Sequence, residues 1–177
     1  MSEFSGKTAL VTGASRGIGA ATAAALAKQG VCRVVMHYNS YREGAEQTLA
    51  AVKEAGAEGE LLQANLGVND GIRALLAHLK DTAPKVDILI NNAGHLVGRA
   101  KLTDMTEDLY EEVMTLNLKS AWFLSQAVVP HMIQAKSGVI VNLSSIAARN
   151  GGGIGATIYA AAKAAVSTMT KGMAKEL

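Results

Sequence analysis

The sequence predicts an α/β protein with a doubly wound parallel sheet, and three observations predict it. Short apolar runs alternate with helical stretches of ten or more residues along the whole chain. The runs are apolar at successive positions rather than at every second one, as strands covered on both faces are. Eighteen glycines and 31 alanines are spread through the chain, so that layers of backbone can approach one another closely.

The elements follow in order. Lys7-Thr8-Ala9-Leu10-Val11-Thr12 is a first strand ended by Gly13, and Ile18 to Gln29 carries Ile18, Thr22, Ala25 and Leu26 on one side of a helix that Gly30 stops. A second strand is expected over Cys32 to Tyr38 and a helix from Glu43 to Ala55. The pattern repeats with a strand over Glu60 to Asn65, a helix over Asp70 to Asp81 and a strand over Val86 to Asn91. A long helix is expected from Glu107 to Ala135, with a kink or a broken last turn at Pro130. Val139 to Ser144 reads as the fifth strand, Asn150 to Gly155 as a glycine-rich loop, and Thr157 to the end as the last helix.

A length of 177 residues predicts one domain, residues 1–177, and 49% hydrophobic with 18% charged residues gives it a real core. A net charge of +2 without a basic block disfavours nucleic acid and anionic membranes as partners. The single cysteine, Cys32, makes no internal disulfide and no cysteine-based metal site, which favours a reducing compartment. The residues from Met1 to Lys7 lack the marks of a leader, and no apolar run approaches the roughly 18 residues of a membrane span, so a cytoplasmic protein is expected. His37, His78 and His131 read as packing or surface groups and His95 as a loop residue, with a place at the substrate mouth as its alternative, and no metal is expected.

Ligands of such sheets gather at the carboxyl ends of the strands. At the first exit, Thr12-Gly13-Ala14-Ser15-Arg16-Gly17-Ile18-Gly19 spaces its glycines G-x-x-x-G-x-G between strand and helix. Glycine there provides positive φ, a close approach of backbone to a diphosphate, and tight packing of helix on strand, with the diphosphate at the positive end of the helix. About 20 residues on, where an NAD-binding chain carries a carboxylate for the ribose, the sequence reads His37-Tyr38-Asn39-Ser40. The missing carboxylate, with Arg16 in the turn and Arg42 nearby, favours NADP(H) over NAD(H).

The fifth exit carries Ser144 and Ser145, and the next helix carries Tyr159 and Lys163 at i and i+4, on one face. A phenol ionises near pH 10, and an adjacent ammonium stabilises its phenolate, each tenfold gain in ionisation corresponding to about 1.4 kcal/mol. That pairing suits a tyrosine acting as acid or base, with a serine hydroxyl holding a carbonyl oxygen. Ser144 and Ser145 also suit the caps of a turn or helix.

Taken together, Thr12 to Gly19, Asn91-Asn92-Ala93-Gly94, Asn117, Asn142-Leu143-Ser144-Ser145 and Tyr159-Ala160-Ala161-Ala162-Lys163 resemble the short-chain dehydrogenase/reductase family, and within it the NADPH-dependent 3-oxoacyl-carrier-protein reductases. The resemblance implies a Rossmann-type sheet ordered 3-2-1-4-5. It makes Tyr159 the proton donor to the substrate carbonyl and Lys163 its partner, which also hydrogen-bonds the nicotinamide ribose. Ser145, the second serine, as the family prefers, would orient the carbonyl, and Asn117 would hold a water in a proton relay to Lys163. Cofactor contacts fall on Gly13, Ser15, Arg16, Gly17, Ile18 and Gly19 in the turn, on Asn39 and Ser40, and on Asn92, Ala93 and Gly94. Asn65-Leu66 stands where the family has Asp and a small apolar residue against adenine; an amide oxygen still accepts from the adenine amino group, so weaker binding is expected.

The resemblance further implies a small-molecule carbonyl substrate, a 3-oxoacyl thioester on an acyl carrier protein or a similar ketone, and a homo-oligomer, dimer or tetramer. The apolar side of the long helix, with Leu109, Val113, Leu116, Leu124 and Val128, is either core or part of a helix bundle between subunits. The family continues with a sixth strand, a loop that contacts the nicotinamide amide, a substrate lid and a seventh strand. These are expected to be absent from this chain, leaving the fifth strand as an apolar sheet edge. A nucleotide-holding module of weak or no activity is the alternative function.

Overall fold

The computed structural model describes residues 4–82 and 85–177. Met1 to Glu3, the first of the residues read above for a leader, lie outside the described residues. The strands are β1 (Thr8–Val11), β2 (Arg33–Tyr38), β3 (Glu58–Gln63), β4 (Ile88–Asn91) and β5 (Val139–Asn142). They form one sheet in the order β3-β2-β1-β4-β5, every neighbouring pair parallel. Successive strands are added on one side of β1 up to β3 and on the other side from β4 on, and this switch opens a crevice at the carboxyl ends of β1 and β4.

The helices are α1 (Gly17–Lys28), α2 (Arg42–Glu54), α3 (Asn69–Thr82), α4 (Glu107–Met114), α5 (Ser120–Ala135), α6 (Ala147–Asn150) and α7 (Thr157–Glu176). The pleat sends alternate strand residues to opposite faces. Leu10, Val35 and Leu89 pack with Leu75 and Leu79 of α3 and Leu124 and Val128 of α5. Ala9, Val11, Val34, Met36, Ile88 and Ile90 pack with Ala23 and Ala27 of α1 and Val52 of α2. The doubly wound sheet read from the sequence is therefore the observed one. Leu89 is fully buried in its middle, where truncation to alanine costs about 2–5 kcal/mol.

Gly30 at φ +95° and Gly56 at φ +89° follow α1 and α2 in the left-handed conformation that closes a helix. Thr106 opens α4 by accepting from the Leu109 N–H at 3.2 Å. β3 starts and ends two residues earlier than the apolar pattern suggests, because Glu58–Gln63 pairs residue for residue with Arg33–Tyr38.

The long helix departs from expectation at a different place from Pro130. α5 runs through Pro130 to Ala135, since both Pro130 and Gln126, whose carbonyl loses its partner, are exposed to water. The interruption is a π turn, Thr115–Lys119, between α4 and α5. β5 lies at the sheet edge with Val139 51% and Val141 40% exposed. Beside it lies a cavity of about 690 Å³ that none of the candidate catalytic or cofactor-binding residues lines. Among the described residues no helix is long and apolar enough to cross a membrane.

Candidate active site

A second cavity, of about 370 Å³, opens at the carboxyl ends of β1, β2, β3 and β4. Thr12 and Asn92 tie the first and fourth exits together. The Thr12 hydroxyl donates to the Ile90 carbonyl and accepts the N–H groups of Asn92 and Ala93 at 3.0 and 2.9 Å, while the Asn92 amide donates to the Thr12 and Gly13 carbonyls at 2.8 and 3.0 Å. The glycine turn is held close against this exit: a Cβ on Gly13 would sit 3.0 Å from Asn92 Nδ2, and one on Gly19 only 2.3 Å from the Gly13 carbonyl oxygen.

Of the residues assigned to cofactor from the sequence, Gly13, Ser15, Arg16 and Ile18 line the cavity on the glycine-turn side. Asn39, Ser40, Asn65 and Leu66 line it at the second and third exits, and Asn92, Ala93 and Gly94 at the fourth. Gly17, Gly19, Tyr159 and Lys163 are not on its walls. Gly17 takes φ +57° where α1 begins, and Gly19 packs behind the turn. The Asn65 side chain accepts from the Gly67 N–H at 2.9 Å, which occupies one lone pair of the oxygen assigned to adenine.

Arg16 is exposed and has no ion-pair partner among the described residues, whereas Arg42 lies off the cavity wall. The Arg42 side chain is spent on Glu46, one helical turn on, at 2.7 Å. Arg16, the one of the two assigned to the cofactor from the sequence, is thus the guanidinium that faces the cavity without an ion-pair partner among the described residues.

At the far side of Gly94 lie Asn117 and Lys163, with the Tyr159 ring beside the lysine. Lys163 is 5% exposed; its ammonium donates to the Leu143 carbonyl at 2.8 Å and lies 6.0 Å from the centre of the half-buried Tyr159 ring. Burial pushes this lysine below its usual range. Asn117 sits buried in the π turn, its amide N–H groups donating to the carbonyls of Val113 and His95 at 2.9 and 3.0 Å. Its Oδ1 is buried without a partner among the described residues. A Cβ on Gly94 would lie 2.7 Å from that oxygen and 2.9 Å from Lys163 Nζ, so both atoms pack against a backbone that has no room for a side chain.

The two serines part company. The Ser144 hydroxyl donates to the Lys163 carbonyl at 2.9 Å and lies 2.7 Å from Ser167 Oγ, fastening α7 to the fifth exit. Ser145 Oγ accepts from the Ala147 N–H at 3.2 Å, a local turn contact that leaves its own proton available.

Sequence reasoning missed several walls of the cavity, His37, Tyr41, Glu112 and Leu116, and preferred a plain loop placement for His95 over a place at the site's mouth. His37 stands next to the end of β2, between two exits already singled out, a signal in topology rather than in residue type. Glu112 and Leu116 stand at i and i+4 immediately before Asn117, so one face of the helix carrying that asparagine pointed to them.

Comparison with known proteins gives the same family as the motifs. The family model described as short chain dehydrogenase matches residues 7–177. The chain is 39% identical over 181 residues to a 3-oxoacyl-[acyl-carrier-protein] reductase of Synechocystis sp., covering 100% of this chain and 70% of that protein. Among solved structures it is similar to the NADH-dependent reductase A1-R′ complexed with NAD, at 34% identity and TM-score 0.90, covering 99% of this chain and 74% of that one. It is similar also to a metagenomic short-chain oxidoreductase in complex with NADP, at 34% identity and TM-score 0.88, covering 98% and 77%. With the parallel sheet, the glycine turn and the family model spanning the same residues, the chain belongs to the short-chain dehydrogenase family of oxidoreductases.

Proposed function

We propose that the chain, acting as a single nucleotide-binding domain, reduces the carbonyl of a 3-oxoacyl thioester or a similar ketone with NADPH. The observation that carries this reading is the position of Gly94, which lines the cavity on one side and packs against Lys163 and the orphaned Asn117 oxygen on the other. A glycine there lets the backbone lie close to a ligand on the cavity side, and an unpartnered buried oxygen is a position for an ordered water.

NADPH, when bound, supplies the hydride to the carbonyl carbon. Gly13, Ser15, Ile18 and the N–H groups opening α1 seat its diphosphate, with Gly17 and Gly19 giving the turn its path. Asn39, Ser40 and Arg16 receive the adenosine ribose and its 2′-phosphate; no carboxylate stands at the end of β2 to repel that phosphate. The two solved neighbours named above hold NAD in one case and NADP in the other, so Arg16 decides between them here. Asn65 and Leu66 take the adenine edge, and Asn92, Ala93 and Gly94 back the ribose.

Tyr159 gives its proton to the carbonyl oxygen while the Ser145 hydroxyl donates to the same oxygen. Lys163 favours the phenolate left behind by its positive charge and keeps protons to donate beyond the one spent on Leu143. The Asn117 oxygen holds a water that resupplies Lys163.

The substrate class is supported by the Synechocystis relative's name, and an acyl carrier protein is its proposed bearer. The exposed Trp122 and the apolar groove it shares with Leu118, Phe123 and Met169 support a homo-oligomer, a dimer or tetramer, of this chain. A cytoplasmic setting fits the free, exposed Cys32.

The test is NADPH consumption with a 3-oxoacyl thioester, in the parent chain and in Tyr159→Phe. The variant should lose about 10²-fold or more of its turnover and keep its affinity for NADPH. Undiminished turnover in the variant refutes the assigned acid, and tight binding without turnover in the parent chain favours the nucleotide-holding module.

A further inference from the structure

His37 is the last but one residue of β2, a strand that lies between β1 and β3. Its side chain is 2% exposed and reaches both neighbouring exits. Nδ1 accepts the Gly13 N–H at 3.2 Å, and Nε2 donates to the Ala64 carbonyl at 2.9 Å. Its backbone carbonyl accepts the next N–H of the turn, from Ala14, at 2.8 Å. One residue thus holds two consecutive N–H groups of the glycine turn and, through the rigid ring, the residue preceding Asn65.

The partners fix the proton. A backbone N–H can only donate, so Nδ1 must carry the lone pair; a carbonyl can only accept, so Nε2 must carry the hydrogen. Burial holds the ring in that neutral form, with its pKa lowered to about 4. A charged ring would turn an N–H against the N–H of Gly13. Gly13 lines the cavity at the diphosphate end, and Asn65 lines it at the adenosine end.

We propose that His37 is a positioning residue for the dinucleotide, a strut that sets the glycine turn at a fixed distance from the β3 exit so that diphosphate and adenosine are seated together. The inference rests on the dinucleotide reading above. It assigns His37 no contact with the substrate and no part in proton transfer. Its effect falls on cofactor affinity, because a turn free to shift must be ordered again by the ligand.

Two amides separate its halves. Asparagine places an oxygen where Nδ1 stands and keeps the acceptor for Gly13 but gives up the donor to Ala64. Glutamine places an NH₂ where Nε2 stands and does the reverse. NADPH affinity is measured by direct titration of the full chain, with KM for NADPH and kcat followed on a 3-oxobutanoyl thioester and thermal unfolding reporting the fold. His37→Gln should raise the Kd and KM for NADPH about tenfold, the effect of stranding one buried donor, and His37→Asn about threefold, with kcat at saturating NADPH within about twofold of the parent chain in both. A folded variant of either kind that binds NADPH as tightly as the parent overturns the strut. So does one that loses kcat while its affinity stands. A parent chain that binds no dinucleotide overturns the cofactor reading itself, and the strut with it.

Discussion

Lys163 Nζ and Asn117 Oδ1 face one another across a missing side chain: a Cβ on Gly94 would lie 2.9 Å from the first and 2.7 Å from the second. The lysine has one carbonyl partner, Leu143, and the asparagine oxygen has none among the described residues. An isolated buried acceptor costs about 1–3 kcal/mol, which a bound water would recover.

Gly94→Ala fills that space with a methyl group. Gly94 has no positive φ to lose, but its new methyl would meet two buried polar groups at 2.7 and 2.9 Å, so the chain should fold with a lowered thermal midpoint, at a cost of about 1–3 kcal/mol. Reductase turnover should fall by about 10²-fold, the scale of displacing a positioned proton-transfer group. A Gly94→Ala protein with parental kcat would remove the need for a filled gap between Lys163 and Asn117.

Arg16 and Arg42 give a paired prediction. Arg16 lines the cavity with no ion-pair partner among the described residues, while Arg42 is bound to Glu46 on the exposed side of α2. Losing a charge-assisted contact to a 2′-phosphate costs about 1.5–3 kcal/mol, roughly ten- to hundredfold in binding. Arg16→Ala should therefore weaken NADPH by at least about tenfold and leave NADH nearly unchanged, and Arg42→Ala should move neither by more than about threefold. Equal losses of NADPH and NADH in Arg16→Ala would mean that the guanidinium does not read the phosphate.

Much of this fold was legible because its signals are local. Apolar runs such as Val86 to Asn91, glycines at helix ends, and the i, i+4 spacing of Tyr159 and Lys163 all lie within one element. What stayed hidden depends on partners far along the chain. The π turn places Asn117 under His95, 22 residues before it, and nothing within Thr115–Lys119 itself signals the extra residue per turn. The two links of His37 span 24 and 27 residues, so a histidine near the end of a strand looked like packing. The pairing of Arg42 with Glu46 was the exception, a local i, i+4 match open to reading from the sequence.

The serine pair should separate stability from turnover. Ser144 binds the backbone of α7 through the Lys163 carbonyl, so Ser144→Ala should lower stability by about 1 kcal/mol and lower turnover only as far as Lys163 shifts. Ser145 makes one local contact, to the Ala147 N–H, and Ser145→Ala should keep NADPH affinity while losing about 10–10²-fold in kcat/KM for the carbonyl substrate. Urea unfolding and steady-state kinetics on the two variants check both halves. The opposite assignment, a silent Ser145→Ala beside an inactive but stable Ser144→Ala, would make the first serine the one that orients the carbonyl.

Acid should find His37 before it finds the rest of the core. Burial lowers its pKa from 6.5 to about 4. Between those values the unfolded chain takes up a proton that the folded chain refuses, so the unfolded state gains as pH falls. The stability that the neutral ring contributes is fully present above about pH 6.5, declines below it, and is gone once pH passes about 4, a total of about 3 kcal/mol. His37→Asn has no group to protonate at that position. Unfolding free energies from urea titrations at pH 7 and at about pH 4.5 should therefore draw together: the variant starts less stable and loses less, by about 2–3 kcal/mol. Two stability curves that fall in parallel across this interval would show that the imidazole already takes up its proton in the folded protein, and that the hydrogen bond to Gly13 does not depend on its neutral form.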